Sequence, residues 1–409
     1  MTHVNDVDIP VSCVAEEASA SPRAGFVAPV LARLQGGRLR VRFPNGGLLT
    51  SGGDDGGLQA TVVLERWRAL RRLALGGDIG FAEAYIDRDW TSPDIVALLR
   101  LAAHNGDALR AVTSGTAVIR IANRLKHLLR VNTRRGSRRN IMAHYDLGNA
   151  FYALWLDPTM QYSSAIWTEE TPNLETAQAR KLDRVIELLA LDGGESVLEI
   201  GCGWGALAMH LAETKNAGVT AITLSPAQLE LAASRAAAAG LDHRIDFRLQ
   251  DYRDVRGEFD RIASIEMIEA VGESHWPAYF GTLAGSLRAG GRAVVQAITI
   301  GEADFGYYRR NPDFIQKHVF PGGFLPTRSA IEAQAARAGL KIVAAERFGR
   351  SYARTLAEWR RRFHARWPEA AALGFDERFR RLWDYYLAYC EAGFAEGTID
   401  VSLIAMEHG

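Results

Sequence analysis

From about residue 180 onward, short apolar runs alternate with longer segments of helical periodicity, the pattern of strands side by side with helices between them. Val197–Ile200, Val219–Leu224, Ile245–Leu249, Phe259–Ser264, Arg292–Ile298 and Lys341–Ala345 read as strands, and Pro226–Ala239 as one intervening helix. Strands joined through helices pair in parallel by right-handed crossovers, so an α/β architecture with a parallel sheet is expected. A final β run, Thr398–Ala405, is expected to complete an edge. Two stretches exceed ordinary connections, Gly301–Thr327 and the aromatic, arginine-rich helical stretch from about 353 to 395; insertions of that length usually act as lids or substrate walls.

Upstream the pattern changes. Gly36-Gly37 and Gly46-Gly47 bracket the alternating run Arg38–Phe43, which predicts a strand hairpin, and Gly80–Asp87 reads as helix before a turn at Ser92-Pro93. Residues 25–119 therefore form a small N-terminal α+β domain, preceded by a small, polar, flexible tail over 1–24. Residues 120–139 carry eight Lys or Arg and no acid, with Ile121, Leu125 and Leu128 at helical spacing. Two readings stand for this basic amphipathic linker: a solvated connection, or a segment that lies on an anionic membrane surface through Arg134, Arg135, Arg138 and Arg139. Residues 140–409 hold the alternating pattern and are expected to be the catalytic domain.

Composition narrows the function classes. The chain is 48% hydrophobic and 23% charged, an ordinary globular balance, and its formal net charge of zero gives no general case for nucleic-acid binding. Cys13, Cys202 and Cys390 are scattered and odd in number, which argues for a reducing compartment without disulfides or a metal site. The first residues lack a basic and then apolar leader, and no apolar run approaches the roughly 18 residues of a membrane span, so neither secretion nor spanning is expected.

The strand Val197-Leu198-Glu199-Ile200 runs into Gly201-Cys202-Gly203-Trp204-Gly205, an acid two residues before a G-x-G-x-G turn, with a helix expected from Ala206. Gly201 and Gly203 let the backbone approach a nucleoside-bearing ligand, and Gly205 lets the next helix pack closely. A dinucleotide site would call for an acid about 20 residues on. Val219–Leu224 is instead followed by Ser225, so S-adenosylmethionine is the expected cofactor. Glu199 would then face its amino-acid part, Thr223 and Gln228 the ribose, and Asp251 with Tyr252 the adenine. Gln228 has an alternative, because Ser225-Pro226-Ala227-Gln228 is also a capping box. Asp251 has one too, as a turn-closing residue with Tyr252 and Arg253.

Longer motifs add a resemblance. His144-Tyr145-Asp146-Leu147-Gly148-Asn149, Met160-Gln161-Tyr162-Ser163-Ser164-Ala165-Ile166-Trp167, Glu269-Ala270-Val271-Gly272, Phe320-Pro321-Gly322-Gly323 and Ser351–Leu356 occur in the order found in cyclopropane-fatty-acyl-phospholipid synthases. The resemblance covers roughly residues 75–405. It implies a Rossmann-like class I methyltransferase sheet with lid insertions, Tyr162 and Ser163 beside the cofactor, and transfer of a methylene unit from S-adenosylmethionine to a cis double bond of phospholipid acyl chains. It further implies a cytoplasmic enzyme peripheral to the inner face of a bacterial membrane, and a homodimer formed through the first domain. Methyl-branched or methylene products on the same scaffold, lipid binding without turnover, and a soluble small-molecule methyltransferase are the competing readings.

The family's proton acceptor is a bound bicarbonate ion, and its ligands are carried over one by one. Glu269 matches the glutamate, Ile298 the residue giving backbone contacts and Tyr352 the tyrosine; Ser164 stands in place of cysteine, Gln296 in place of histidine, and Ala270 replaces a histidine beside the glutamate. Serine and glutamine still hydrogen-bond an anion but do not titrate near neutrality. Bland roles remain open: Gln296 as a strand-end residue, Ser164 as a small packing residue, Tyr352 as a half-buried aromatic and His144 as a structural histidine.

Overall fold

The computed structural model describes residues 31–51, 56–106, 109 and 147–409. The expected tail 1–24, the whole basic segment 120–139 and His144 lie outside them. The chain divides into two compact units, Met1–Arg120 and Ile121–Gly409.

In the first unit, strands β1 (Gly37–Arg42), β2 (Leu48–Ser51), β3 (Leu58–Leu64) and β4 (Trp90–Thr91) form a sheet in the order β2-β1-β3-β4. β1 and β2 are the expected antiparallel hairpin, while β1 and β3 run parallel. The helix read from Gly80 begins earlier, at Arg68, and is interrupted at Gly77, whose φ of 62° and ψ of −143° are not helical. After it the buried Asp89 accepts two hydrogen bonds from Arg68, at 2.8 and 2.7 Å, so the charge taken from water is met by a bidentate guanidinium.

The second unit is built on a seven-stranded sheet. Its strands are β5 (Ser196–Ile200), β6 (Gly218–Thr223), β7 (Ile245–Leu249), β8 (Phe259–Ile265), β9 (Leu287–Ile300), β10 (Leu340–Arg347) and β11 (Ile399–His408), in the order β10-β11-β9-β8-β5-β6-β7. The pairs β5–β6, β6–β7, β5–β8 and β8–β9 are parallel, as strand–helix alternation demands. β11 departs from expectation: it does not complete an edge but pairs antiparallel with both β9 and β10. The reason is visible in burial. Val401–Met406 is buried throughout, whereas β10 alternates between covered and uncovered positions, as suits an edge strand with one wet face.

Successive residues of β5 serve opposite faces of the sheet. Val197 packs with Val185, Leu189 and Leu211 on one side; Leu198 packs with Ile262, Leu283 and Ile404 on the other. This double burial holds the carboxyl ends of β5, β8 and β9 together, and Glu199, Glu269, Gln296 and Ile298 are anchored on or near them. Gly205 ends the turn after β5 with φ of 83°, and a Cβ there would meet Phe247 Cζ at 3.0 Å and Ala232 Cβ at 3.1 Å. Replacing Gly205 by Ala should therefore cost about 1–3 kcal/mol through left-handed strain and overpacking, measured as a lowered midpoint of chemical denaturation.

Candidate active site

The turn after β5 has the form that a nucleoside ligand requires. Gly201, Gly203 and Gly205 all have positive φ, and a Cβ on Gly203 would meet nothing within 4 Å, so the backbone there is open to a close approach. Glu199 ends the strand buried, with Oε2 lacking any hydrogen-bond partner among the described residues. Burial raises its pKa to about 8 against the opposing charge of Lys181. An orphaned carboxylate oxygen beside an open glycine turn fits the ammonium end of S-adenosylmethionine. Trp204 caps the turn from outside, its Nε1 donating to Asn149 Oδ1 at 2.8 Å, which ties in the Leu147-Gly148-Asn149 end of the first long motif.

Thr223 and Gln228 are brought together: Thr223 Oγ1 donates to Gln228 Oε1 at 3.0 Å and both are buried. Ser225 Oγ caps the helix Pro226–Ala238 by accepting from Gln228 N at 3.3 Å, but Gln228 does not reach back to Ser225 as a capping box would. Ser225 N donates instead to Thr223 Oγ1 at 3.2 Å, which leaves the glutamine side chain directed at the end of β6. Asp251 takes the turn-closing role. Its oxygens accept from Arg253 N at 3.0 Å, Nε at 2.8 Å and Nη2 at 2.6 Å. Tyr252 beside it is buried.

Tyr162 and Ser163 lie in an extended segment that the rest of the unit grips from several sides. Gln178 Nε2 donates to Ser163 O at 2.9 Å, Ala165 N to Thr355 Oγ1 at 3.2 Å, and Trp167 N to Ser351 Oγ at 3.0 Å. Tyr162 sits among Tyr152, Trp155, Phe320 and Trp359, with ring centroids 5.3 to 6.3 Å away, and its hydroxyl is 2.7 Å from that of Tyr386. Phe320 comes from the insertion after β9, and Trp359 and Tyr386 from the helices Gly349–Ala365 and Glu377–Ala395, so both long insertions contribute aromatic walls.

The predicted anion ligands converge, though on a protein group that sequence reasoning missed. Ser164 N donates to Glu266 Oε1 at 2.9 Å, Gln296 Nε2 to the same oxygen at 2.6 Å, and Tyr352 OH to Glu266 Oε2 at 2.7 Å. Ile298 N donates to Glu269 Oε1 at 2.5 Å, while Glu269 Oε2 is buried without a partner among the described residues. Two expectations are corrected and one alternative falls. The Ser164 hydroxyl points away, to Ala165 O at 3.0 Å, and only its backbone N–H serves a carboxylate. Gln296 is no strand-end filler, since its amide is bound to Glu266. Bicarbonate does not fit the donor set as it stands: all four expected donors are occupied by two glutamates.

Glu266 could have been suspected from the spacing Glu266-Met267-Ile268-Glu269 at the end of β8, where two acids follow an apolar strand. Its backbone φ of 49° places it in the left-handed region, a conformation costing about 1–2 kcal/mol for a residue with a Cβ. Lys181 is the second omission. It lies on the buried face of the helix Leu174–Leu189 beside Ala177, Leu182 and Val185, with Nζ donating to Ser163 Oγ at 2.9 Å. Burial lowers its pKa to about 8 against the charges of Glu266, Asp157 and Glu199. A lysine inside an apolar helical stripe was the available signal.

Burial also raises Glu266, opposed by Tyr352, Ser164, Gln296 and Lys181. Glu269 rises to about 8 through burial and then the neighbouring Glu266 charge. Both residues nevertheless keep part of their surface accessible. The result is a pair of carboxyls poised to hold a proton near neutrality.

Comparisons with known proteins give the family of the chain. The sequence model described as mycolic acid cyclopropane synthetase matches residues 132–404. The chain is 42% identical over 340 residues to the tuberculostearic acid methyltransferase UfaA1 of Mycobacterium tuberculosis, covering 81% of this chain and 79% of that one. It is 34% identical over 364 residues to the cyclopropane-fatty-acyl-phospholipid synthase of Escherichia coli strain K12, covering 87% and 90%. Among solved structures, the mycolic acid cyclopropane synthase CmaA1 complexed with SAH and CTAB aligns with a TM-score of 0.62 and 30% identity, over 66% of this chain and 97% of that one. The cyclopropane synthase MmaA2 from Mycobacterium tuberculosis aligns equally well, at 0.62 and 29%, over 66% and 97%.

A folded-state pKa raised from 4.5 means that the native protein holds the Glu269 proton more tightly than the unfolded chain does, so stability falls as pH rises from about 4.5 towards 8. Glu269→Gln should flatten that decline in thermal denaturation curves. It should also cut turnover by about 100-fold or more if the carboxyl takes part in proton transfer, with S-adenosylmethionine affinity by calorimetry nearly unchanged.

Proposed function

Because this chain belongs to the mycolic acid cyclopropane synthetase family and is an S-adenosylmethionine-dependent methyltransferase, we propose that it adds a one-carbon unit to the cis double bond of unsaturated acyl chains esterified in phospholipids, closing a cyclopropane ring. The observation that carries this reading is the carboxyl pair Glu266 and Glu269, held by four donors next to an aromatic cage. An alkene is a feeble nucleophile, and its methylation leaves a carbocation that water would capture. An enzyme for this reaction needs apolar walls, a rigid seat for the methyl donor and a proton acceptor beside the cation.

S-adenosylmethionine supplies an electrophilic methyl group when bound. Glu199 and the Gly201–Gly205 turn hold its amino-acid end, Thr223 and Gln228 the ribose, and Tyr252 with the Asp251 turn borders the base. Tyr162 and its aromatic neighbours exclude water, and their π faces favour a cation near them. Phe320, Trp359 and Tyr386 from the two insertions wall the acyl chain.

A second reading is favoured by the 42% identity to a tuberculostearic acid methyltransferase. On the same scaffold, proton loss after a hydride shift yields a methylene branch in place of a ring. Mass spectrometry of defined monounsaturated phospholipid vesicles after incubation with enzyme and donor should show a gain of CH2. Resistance of the product to hydrogenation identifies the ring, and uptake of hydrogen the methylene or methylated alkene. Methylation of a water-soluble acceptor with none on vesicles would refute both.

No helix among the described residues is long and apolar enough to cross a membrane, and access to bilayer substrate is assigned to the basic segment. Replacing Arg134, Arg135, Arg138 and Arg139 with Ser should weaken sedimentation with anionic vesicles, each charge being worth about 1 kcal/mol near the surface. High salt should weaken the parent protein in the same way.

A further inference from the structure

We propose that Glu266 is the proton acceptor of this enzyme, a built-in carboxylate standing where the family resemblance puts a bicarbonate ion. The inference rests on the lipid-alkylation reading above. Three donors from separate parts of the fold meet on this one side chain: Ser164 N from the segment before the helix Leu174–Leu189, Gln296 Nε2 from β9 and Tyr352 OH from the helix Gly349–Ala365. These are three of the residues that the resemblance assigns to the ion. The other two, Ile298 and Glu269, are bonded to each other, Ile298 N donating to Glu269 Oε1. The polar shell of an anion site is thus present, and a carboxylate of this chain fills it.

Backbone and chemistry point the same way. Glu266 has a φ of 49°, where glycine would be unstrained, and the chain keeps a long acidic side chain there. A carboxylate has roughly four acceptor directions. Oε1 takes two hydrogen bonds and Oε2 one, so one lone pair on Oε2 remains for a proton. Burial favours its uptake, opposed by the three donors and by Lys181.

The step balances without a further reagent. Once the methyl carbon is bonded to one former alkene carbon, the other is cationic. A C–H bond of the new methyl group breaks, its electron pair forms the bond that closes the ring, and the proton goes to Glu266 Oε2. If a hydride first moves to the cationic carbon, the same C–H cleavage places its electron pair in a methylene double bond, and Glu266 again receives the proton.

The test compares the full-length parent protein with Glu266→Gly and Glu266→Gln in carbon dioxide-depleted buffer, on monounsaturated phosphatidylglycerol vesicles, with and without added bicarbonate. The parent should be indifferent to bicarbonate. Glu266→Gly, which relieves the backbone and vacates the donors, should lose about 100-fold or more of its rate, the scale of a missing general base, and recover with bicarbonate. Glu266→Gln should lose as much without recovery, because its amide still fills the space. Calorimetry with S-adenosylmethionine confirms that each variant is folded, and 13C NMR of labelled bicarbonate should detect binding to Glu266→Gly alone. A parent that requires or binds bicarbonate, or a Glu266→Gly variant active without it, overturns the proposal. A parent inactive on vesicles refutes the substrate reading, and the NMR comparison then decides the role of Glu266 separately.

Discussion

A carboxylate taken away from most of its water must be met by hydrogen-bond donors or must keep its proton, and two such groups side by side intensify the demand. Glu266 and Glu269 place that demand at the carboxyl end of β8. The fold answers with a backbone N–H from the segment ahead of the sheet, a backbone N–H and an amide from β9, and a phenol from a helix that follows β10. These four groups are separated by up to 188 residues of chain, from Ser164 to Tyr352. They coincide only when strand register, the extended Tyr162–Trp167 segment and the helix Gly349–Ala365 are all in place. The carboxyl pair is therefore a stringent condition on the native structure.

The sheet makes that convergence reproducible. β5, β8 and β9 are adjacent and parallel, so their carboxyl ends project to one side, where open α/β sheets bind ligands. Glu199 at the end of β5, the carboxyl pair after β8, and Gln296 with Ile298 near the end of β9 share that edge. Lys181 links the two halves of the site: its ammonium hydrogen-bonds Ser163 and feels both Glu199 and Glu266, which partly offsets the concentration of negative charge. The aromatic cage is built from the insertion after β9 and from the helices Gly349–Ala365 and Glu377–Ala395.

Much of this was legible along the chain. The apolar runs located the strands to within a few residues, since a buried strand must be apolar on both faces and needs no partner's identity to show it. The glycine turn with Glu199 declared a nucleoside ligand because backbone conformation and close approach are local properties. Ser164, Gln296, Ile298, Tyr352 and Glu269 were identified as a group through the order of motifs. What they bind was not identified: an anion shell looks the same in sequence whether it holds an ion or a side chain three residues from one of its members.

The sequence by itself thus determined the element types, the class of sheet and the glycine-rich turn after β5, all consequences of periodicity and local backbone chemistry. Tertiary structure alone decided that β11 inserts between β9 and β10, that Asp251 is paired with Arg253, that Gln228 turns to Thr223, and that Glu266 takes the donors expected for an ion. Each of these depends on which groups share a few ångströms after burial. Desolvation makes most buried polar atoms find a partner, and that choice is settled between residues far apart in the chain.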